Sequence, residues 1–175
     1  MVHIVGAGPG DPELITVKGQ RYLSEADVVI YAGSLVNPAL LDFCKEGAEI
    51  HNSASMTLDD VVGVIEKAEQ EGRMTVRLHT GDPSVYGAIQ EQMDALDKKN
   101  ISYDIVPGVS SCFAAAAALK QEYTLPGISQ TVIITRNEGR TPVPEAEKLR
   151  SLAAHQSTMC SYLSTIMPEK AVTEP

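Results

Sequence analysis

Short runs of apolar residues alternate with stretches whose apolar residues recur at helical spacing along the whole chain. The apolar runs are four to six residues long, or three in one case, and predict strands at 2–5, 28–31, 49–51, 74–78, 103–106, 131–135 and 158–163. The stretches between them predict helices from about 12 to 26, then over 37–44, 57–72, 83–98, 112–120 and 144–155. A β-α-β alternation of this kind predicts an α/β fold with a parallel sheet covered on both faces.

Capping residues predict where two of these helices begin. Asp11 precedes Pro12, which suits a helix with an aspartate cap and proline at its first position. The predicted buried side of this first helix comprises Leu14, Ile15, Val17, Tyr22, Leu23 and Ala26. Thr57, followed by two aspartates, opens a later helix that Gly72 ends. The apolar stripe of that helix comprises Val61, Val62, Ile65 and Ala68.

The stretch 76–87 carries the strongest local signal for a ligand site. A strand runs into Thr80-Gly81-Asp82-Pro83, where glycine can take a positive φ and proline suits the first position of a helix. We expect Asp82 to be the N-cap of a helix that begins at Pro83 and continues to about Lys98. The turn would then lie at the carboxyl edge of the sheet, where small ligands bind. An ordinary strand–helix connection explains the same pattern.

Thr124-Leu125-Pro126-Gly127 is the best candidate for a domain boundary. It divides the chain into an N-terminal α/β domain, 1–123, and a second α/β segment, 124–175. That second segment contains a strand, a helix and a strand, which is less than usually folds alone. We therefore expect an incomplete, truncated second domain that is less ordered than the first.

Composition excludes several classes of function. The chain of 175 residues is 43% hydrophobic and 21% charged, as in globular proteins, and its net charge of −9 disfavours general binding to nucleic acid or anionic membranes. The three cysteines, Cys44, Cys112 and Cys160, are far apart and form no CxxC motif, so they support neither a zinc site nor a disulfide framework. No apolar run reaches the ~20 residues of a membrane span, and no secretory signal opens the chain. These features indicate a cytoplasmic protein.

The glycine-rich turn Gly6-Ala7-Gly8-Pro9-Gly10-Asp11 fits a dinucleotide poorly. The Gly-x-Gly-x-x-Gly fingerprint requires glycine where this chain has Asp11, and Pro9 removes a backbone N–H. A carboxylate would repel a pyrophosphate at a helix N-terminus. S-adenosylmethionine, whose sulfur is cationic and which has no phosphate, suits this turn better.

Three motifs resemble the tetrapyrrole (corrin/porphyrin) methylases. They are the stretch 5–16 with Lys18-Gly19, then Gly81-Asp82-Pro83 with Tyr86-Gly87, and Val106-Pro107-Gly108-Val109-Ser110-Ser111, and they occur in the order and spacing of that family. Within the family, 31–36 and 135–142 resemble the branch that methylates precorrin-4 or cobalt-precorrin-4 at C11. Ala32 stands where the uroporphyrinogen-III methyltransferases usually have aspartate, so no catalytic acid or base is carried over to that position.

The resemblance implies a two-domain α/β enzyme of cobalamin biosynthesis, usually a homodimer, which binds S-adenosylmethionine between its domains. The implied donor site comprises Pro9, Thr80, Gly81, Asp82, Val85, Tyr86, Ser110, Ser111 and Leu163. Tyr86 could instead be a core aromatic, and the two serines could merely cap a helix. We assign no role to His79, no catalytic residue and no metal.

Arg136 and Arg140 follow a predicted strand and could pair with the peripheral carboxylates of a tetrapyrrole. A solvated loop is the alternative for these two arginines. The expected chemistry is direct in-line methyl transfer from the sulfonium to a ring carbon, for which the protein mainly supplies orientation and desolvation.

Members of this family are longer than this chain, and the C-terminal part normally completes the second domain. We therefore expect an open donor cleft, weaker donor affinity and methyl transfer that is absent or slight. The alternatives are a sister methylase acting on another precorrin position, a diphthine precursor or ribosomal RNA. A dinucleotide-binding module or a ligand-binding fragment without turnover would also be consistent with parts of the sequence.

Overall fold

A computed structural model describes residues 1–138 and 141–163. The chain forms two compact units, Met1–Ala114 and a second that begins at Ala115. This division falls before the turn at Thr124–Gly127, where Leu125 and Ser129 form an isolated antiparallel bridge. The placement of a domain boundary at 123/124 stays a prediction. No helix in the described ranges is long and apolar enough to cross a membrane.

The first unit contains a five-stranded parallel sheet, which confirms the predicted α/β class. Its strands lie in the order β3-β2-β4-β1-β5, so that β4 and β5 flank β1. Val5 of β1 pairs in register with Leu78 of β4 and with Val106 of β5. The strands are β1 (Val2–Gly6), β2 (Val28–Tyr31), β3 (Glu49–Asn52), β4 (Thr75–His79) and β5 (Tyr103–Val106).

Side chains on the two faces of this sheet form two separate cores. Val76 and Leu78 of β4 pack in one core with Leu23, which lies on the first α-helix. Val28 and Ile30 of β2 pack in the other core, with buried residues of the second and third α-helices. Because successive strand side chains point to opposite faces, Arg77 and His79 lie on the second of these faces.

Helix α1 (Val17–Glu25) begins five residues later than predicted. Asp11 does accept a hydrogen bond from the amide of Glu13, but it caps only a 3-10 helix over Pro12–Leu14. The α-helix is capped by Thr16, and its first residue, Val17, is 85% exposed. Leu23 and Ala26 are buried as predicted. Leu14 and Val17, which were also predicted to be buried, are exposed.

Helix α2 (Leu58–Gln70) agrees with its sequence signals. Thr57 and Asp60 form a reciprocal capping box, and Gly72 takes a positive φ just beyond the C-cap. The predicted apolar stripe is buried throughout and comprises Val61, Val62, Ile65 and Ala68. The predicted helix over 37–44 is present as a 3-10 helix over Pro38–Phe43, with Asn37 as its cap.

Helix α3 (Gln90–Lys98) shows that the predicted helix start at Pro83 is wrong. Residues 83–86 form a turn and 87–89 have no regular structure, and both Tyr86 and Ala88 have a positive φ, which interrupts any helix. Asp82 therefore caps no α-helix. Helix α4 (Ser111–Leu119) follows β5 and agrees with the predicted alanine-rich helix to within one residue at each end.

The second unit contains a two-stranded parallel sheet of β6 (Val132–Arg136) and β7 (Thr158–Tyr162). The connection between them was predicted as one helix over 144–155. It contains instead a 3-10 helix at Glu145–Glu147 and the five-residue helix α5 (Leu149–Ala153). Lys148 separates the two because its backbone is extended, with ψ at 145°.

Candidate functional site

Three loops meet at the carboxyl edge of the five-stranded sheet. They follow β1, β4 and β5, which are neighbours in the sheet although distant in sequence. The amide of Gly81 donates to the carbonyl of Gly8 at 2.8 Å, and the amide of Gly8 donates to the carbonyl of Gly81 at 3.2 Å. A further bond, from the amide of Ala7 to the carbonyl of His79 at 2.7 Å, continues the contact. The loops after β1 and β4 are therefore held together by backbone alone.

Two glycines allow the third loop to approach. A Cβ atom on Gly108 would lie 2.1 Å from the carbonyl oxygen of Gly81, and one on Gly6 would lie 2.6 Å from the same atom. No side chain fits at either position without moving the backbone. Gly6 and Gly108 of the sequence motifs therefore have a structural reason, which is close packing of three backbones at one edge.

Asp82 links the loop after β4 to the loop after β5. Its Oδ2 atom accepts a hydrogen bond from the amide of Gly108 at 2.9 Å, and its Oδ1 atom accepts from the amide of Ser84 at 2.8 Å and from the Ser84 hydroxyl. Burial raises the pKa of Asp82, but the hydrogen bonds from Ser84 and Gly108 outweigh it, so the net pKa is lowered. The carboxylate is held ionised and fixed in direction.

The loop Pro83–Ile89 carries two predicted donor-binding residues, Val85 and Tyr86. The amide of Val85 donates to the carbonyl of Asp82 at 3.1 Å, which closes a tight turn. Tyr86 has a φ of 55° and a side chain that is 43% exposed, so it is no core aromatic. The loop presents its tyrosine at the surface beside the three-loop edge.

Ser110 and Ser111 stand where β5 has ended and α4 begins. Ser110 is buried, and its carbonyl accepts hydrogen bonds from the amides of Phe113 and Ala114 in the first turn. The site of a Cβ atom on Gly81 lies 3.8 Å from Ser110. Ser111, the first residue of the helix, is exposed. Thr80, Gly81, Asp82 and Ser110 are therefore brought to one edge.

The glycine-rich turn after β1 is shaped by side chains that the sequence did not single out for this purpose. The Nδ2 atom of Asn37 donates to the carbonyl of Gly10 at 2.7 Å, which ties the segment after β2 to this turn. Asn37 had been interpreted only as the start of a short helix. Pro9 lies half-buried in the same turn.

A phosphate group does not fit this turn. The Oδ1 atom of Asp11 accepts a hydrogen bond from the amide of Glu13 at 3.0 Å. This carboxylate therefore already uses the first N–H group that a pyrophosphate would need. Pro9 and Pro12 carry no N–H at all. The polar groups fixed at the edge include carbonyls and the carboxylate of Asp82, which suit a cationic ligand with hydroxyl groups.

The remaining predicted site residues belong to the second unit. Arg136 ends β6 and pairs in register with Tyr162 of β7, so it and Leu163 lie at the carboxyl edge of the two-stranded sheet. The Arg136 guanidinium donates to the carbonyls of Asn137, Thr141 and Pro142 at 3.1–3.4 Å. Leu163 is 70% exposed. Arg140 lies outside the described residues.

The sequence profile of the family described as Tetrapyrrole (Corrin/Porphyrin) Methylases matches residues 1–174. The chain belongs to the tetrapyrrole methylase family. Among its relatives, a cobalt-precorrin-4 C(11)-methyltransferase from Methanocaldococcus jannaschii is 63% identical over 99% of this chain and 67% of its own length. A protein of the same name from Priestia megaterium is 53% identical over the same shares.

Two solved tetrapyrrole methylase structures resemble this one. The X-ray structure of a cobalamin biosynthetic enzyme, cobalt precorrin-4 methyltransferase, has a TM-score of 0.96 and 53% identity, with 99% of this chain and 72% of the other covered. A uroporphyrin-III C-methyltransferase from Thermus thermophilus, complexed with S-adenosylhomocysteine, has a TM-score of 0.76 and 26% identity, with 98% and 71% covered. The predicted family and fold are confirmed.

Proposed function

We propose that this tetrapyrrole methylase transfers a methyl group from S-adenosylmethionine to C11 of cobalt-precorrin-4. The observation that carries the proposal is the 63% identity, over 99% of the chain, to a cobalt-precorrin-4 C(11)-methyltransferase. The relatives named as acting on metal-free precorrin-4 are more distant, at 47% identity for the protein from Pseudomonas aeruginosa. The identities therefore favour the cobalt-containing substrate.

The donor would be held at the three-loop edge of the first unit. The proposed contacts come from Pro9 and from residues at the ends of β4 and β5. They are Thr80, Gly81, Asp82, Val85, Tyr86, Ser110 and Ser111, and Leu163 of the second unit is a further candidate. The lack of fit for a phosphate and the fixed carboxylate of Asp82 support a sulfonium ligand over a dinucleotide.

When bound, S-adenosylmethionine supplies an activated methyl group on a positively charged sulfur. The protein then has to hold its own groups in a fixed geometry, because orientation of the reacting groups contributes strongly to the rate of such a transfer. Asp82 does this by joining the loops after β4 and β5, and the bonds between Gly8 and Gly81 join the loops after β1 and β4. The three loops are thereby held in one arrangement by hydrogen bonds of the chain itself.

The substrate is a polycarboxylate, whereas the chain has a net charge of −9. A local positive group is needed to offset this repulsion. Arg136, with Arg140, is our candidate for pairing with the peripheral carboxylates. The guanidinium of Arg136 donates hydrogen bonds to three backbone carbonyls, which orient it at the end of β6.

We also propose that the protein is a cytoplasmic homodimer and has no nucleic-acid partner. Its resemblance to the family supports the dimer, and its negative charge argues against nucleic acid. Light scattering coupled to size-exclusion chromatography measures the oligomeric state directly.

The test is methyl transfer from labelled S-adenosylmethionine to three substrates, namely cobalt-precorrin-4, precorrin-4 and uroporphyrinogen III. We expect labelled product from cobalt-precorrin-4, less from precorrin-4 and none from uroporphyrinogen III, with the new methyl group at C11 by NMR. Methylation at another carbon, or of uroporphyrinogen III alone, would make this chain a sister methylase. Donor binding without any product would leave a ligand-binding role.

A further inference from the structure

A buried arginine, Arg77, lies on β4, two residues before the end of that strand. Arg77 is only 7% exposed. Its Nε atom donates to Oε1 of Gln92 on α3 at 3.0 Å, and its Nη1 atom donates to the carbonyl of Ile30 on β2 at 3.1 Å. Burial lowers the pKa of Arg77 to about 10, so the side chain remains charged at neutral pH. Both acceptors are neutral oxygens, as is the carbonyl of Leu78, which lies 3.5 Å from Nη1.

The guanidinium fixes the direction of the Gln92 amide. Gln92 is itself 8% exposed, and its carbonyl oxygen has to face the donors of Arg77 because a guanidinium cannot accept a hydrogen bond. The NH2 group of the amide therefore points the other way. It donates to the carbonyl of Ala88 at 3.2 Å, and Ala88 lies in the loop Pro83–Ile89. A chain of oriented hydrogen bonds thus runs from β4, through α3, to that loop.

The loop that receives this bond has an unfavourable backbone conformation. Tyr86 and Ala88 have φ angles of 55° and 49°, which residues other than glycine rarely adopt. Between them, a Cβ atom on Gly87 would lie 2.2 Å from the carbonyl oxygen of Pro83, so the loop folds closely back on itself. Such conformations persist only where surrounding contacts determine them. On one side the loop is held through Asp82, and on the other through Gln92.

We propose that Arg77 and Gln92 are positioning residues for the donor-binding loop, and that they hold Tyr86 in place through the carbonyl of Ala88. The proposal rests on the proposed function for its statement about the donor. Neither residue reaches a ligand in this scheme. Their effect on methyl transfer passes entirely through the conformation of Pro83–Ile89, on which the binding of S-adenosylmethionine depends.

Hydrogen exchange of the loop amides tests the link without any ligand. Gln92→Met removes both hydrogen bonds at similar volume, and Gln92→Glu keeps an oxygen for Arg77 but loses the donor to Ala88. We expect the amides of 84–89 to exchange roughly tenfold faster in both variants, as is typical when one buried hydrogen bond is lost. Leu96→Ala, on the same helix, is the matched control because it removes a buried side chain of the core that contains Ile30 and Ile65.

Two outcomes would overturn the proposal. One is exchange in Gln92→Met that accelerates equally over α3 and the loop, as it would in Leu96→Ala. The other is a loop in Gln92→Glu that stays as protected as in the unmodified protein.

Calorimetry with S-adenosylhomocysteine then tests the consequence for the donor. We expect the dissociation constant and the KM for S-adenosylmethionine to rise roughly fivefold to tenfold in Gln92→Met, with a smaller change in kcat. Unchanged affinity in a variant with a loosened loop would refute the positioning role. If the unmodified protein binds no S-adenosylhomocysteine, the proposed function fails, while the exchange result still decides whether Gln92 holds the loop.

Discussion

The carboxylate of Asp82 accepts a hydrogen bond from the backbone amide of Gly108 at 2.9 Å. This bond joins two loops through residues that are 26 positions apart in sequence. The same carboxylate also fixes Ser84. Asp82 therefore combines a structural role with its place in the proposed donor site, and the two roles are separable by experiment.

Asp82→Ala should lower the free energy of unfolding by about 2 kcal/mol, since hydrogen bonds to a partly buried charged acceptor are lost. The dissociation constant for S-adenosylhomocysteine should rise by more than the unfolded fraction explains. Urea denaturation and calorimetry on one sample measure both. Asp42→Ala, which removes an exposed aspartate, is the control. Normal affinity in the folded Asp82 variant would leave Asp82 with the structural role alone.

Gly108→Ala tests the close packing of the three loops. An added Cβ atom would lie 2.1 Å from the carbonyl oxygen of Gly81, so we expect a loss of about 3 kcal/mol or more in the free energy of unfolding. Gly63→Ala is the matched control, because Gly63 lies exposed in α2 with no atom within 4 Å of its Cβ position. That substitution should stabilise the protein by about 0.5–1 kcal/mol. Equal stabilities of the two variants would contradict the packing argument.

The buried position of His79 should make the protein less stable at acidic pH. Burial, assisted by the charge of Arg77, lowers the pKa of His79 from 6.5 to about 3, and its Nε2 atom has no hydrogen-bond partner within the described ranges. The native state therefore keeps this histidine neutral while the unfolded state takes up a proton below pH 6.5. Stability is lost as the pH falls from 6.5 toward 3, by about 2 kcal/mol at pH 5.

His79→Gln should abolish that part of the pH dependence, whatever its stability at pH 7. Urea denaturation at pH 7 and pH 5 gives the difference for each protein. His155→Gln, at an exposed histidine of the second unit, should behave like the unmodified protein. A His79 variant that loses as much stability between the two pH values as the unmodified protein would show that His79 is protonated normally in the folded state.

The choice of cofactor is the simplest test of the three-loop edge. We expect calorimetry to detect binding of S-adenosylhomocysteine and none of NAD, because Asp11 and two prolines replace the amide groups that a pyrophosphate needs. If calorimetry detects binding of NAD and none of S-adenosylhomocysteine, the three-loop edge is a dinucleotide site and not a site for a sulfonium cofactor.

Arg136→Ala tests the substrate site separately from the donor site. The KM for cobalt-precorrin-4 should rise roughly tenfold or more, as for the loss of a charge-assisted hydrogen bond, while the affinity for S-adenosylhomocysteine stays the same. Arg150→Ala, at an exposed arginine of α5, makes the same change in net charge and should leave the KM unchanged. A lower stability with an unchanged KM would mean that Arg136 serves only to hold the carbonyls of its own loop.

The sequence by itself determined the parallel sheet and predicted the edge at which the candidate site lies. Continuous apolar runs such as Val28–Tyr31 require cover on both faces, and their alternation with helical stretches predicts a parallel α/β sheet, in which the loops after neighbouring strands meet at one edge. Helix α2 was predictable in detail because its capping box and its apolar stripe are both local. The glycine motifs of the three loops were likewise visible before their partners were known.

Tertiary structure alone decided the course of Pro83–Ile89. Aspartate before proline is equally compatible with a helix cap and with the tight turn that Asp82 and Ser84 form, because both use the same side-chain-to-amide bond. Contacts with Gly108 and with Gln92 select the turn, and neither lies within reach of a local pattern. The orientation of Gln92 depends in turn on Arg77, which is 15 residues away in sequence. Local signals thus predict most of the elements but not all of their bounds, and long-range hydrogen bonds fix the loop that the proposed function requires.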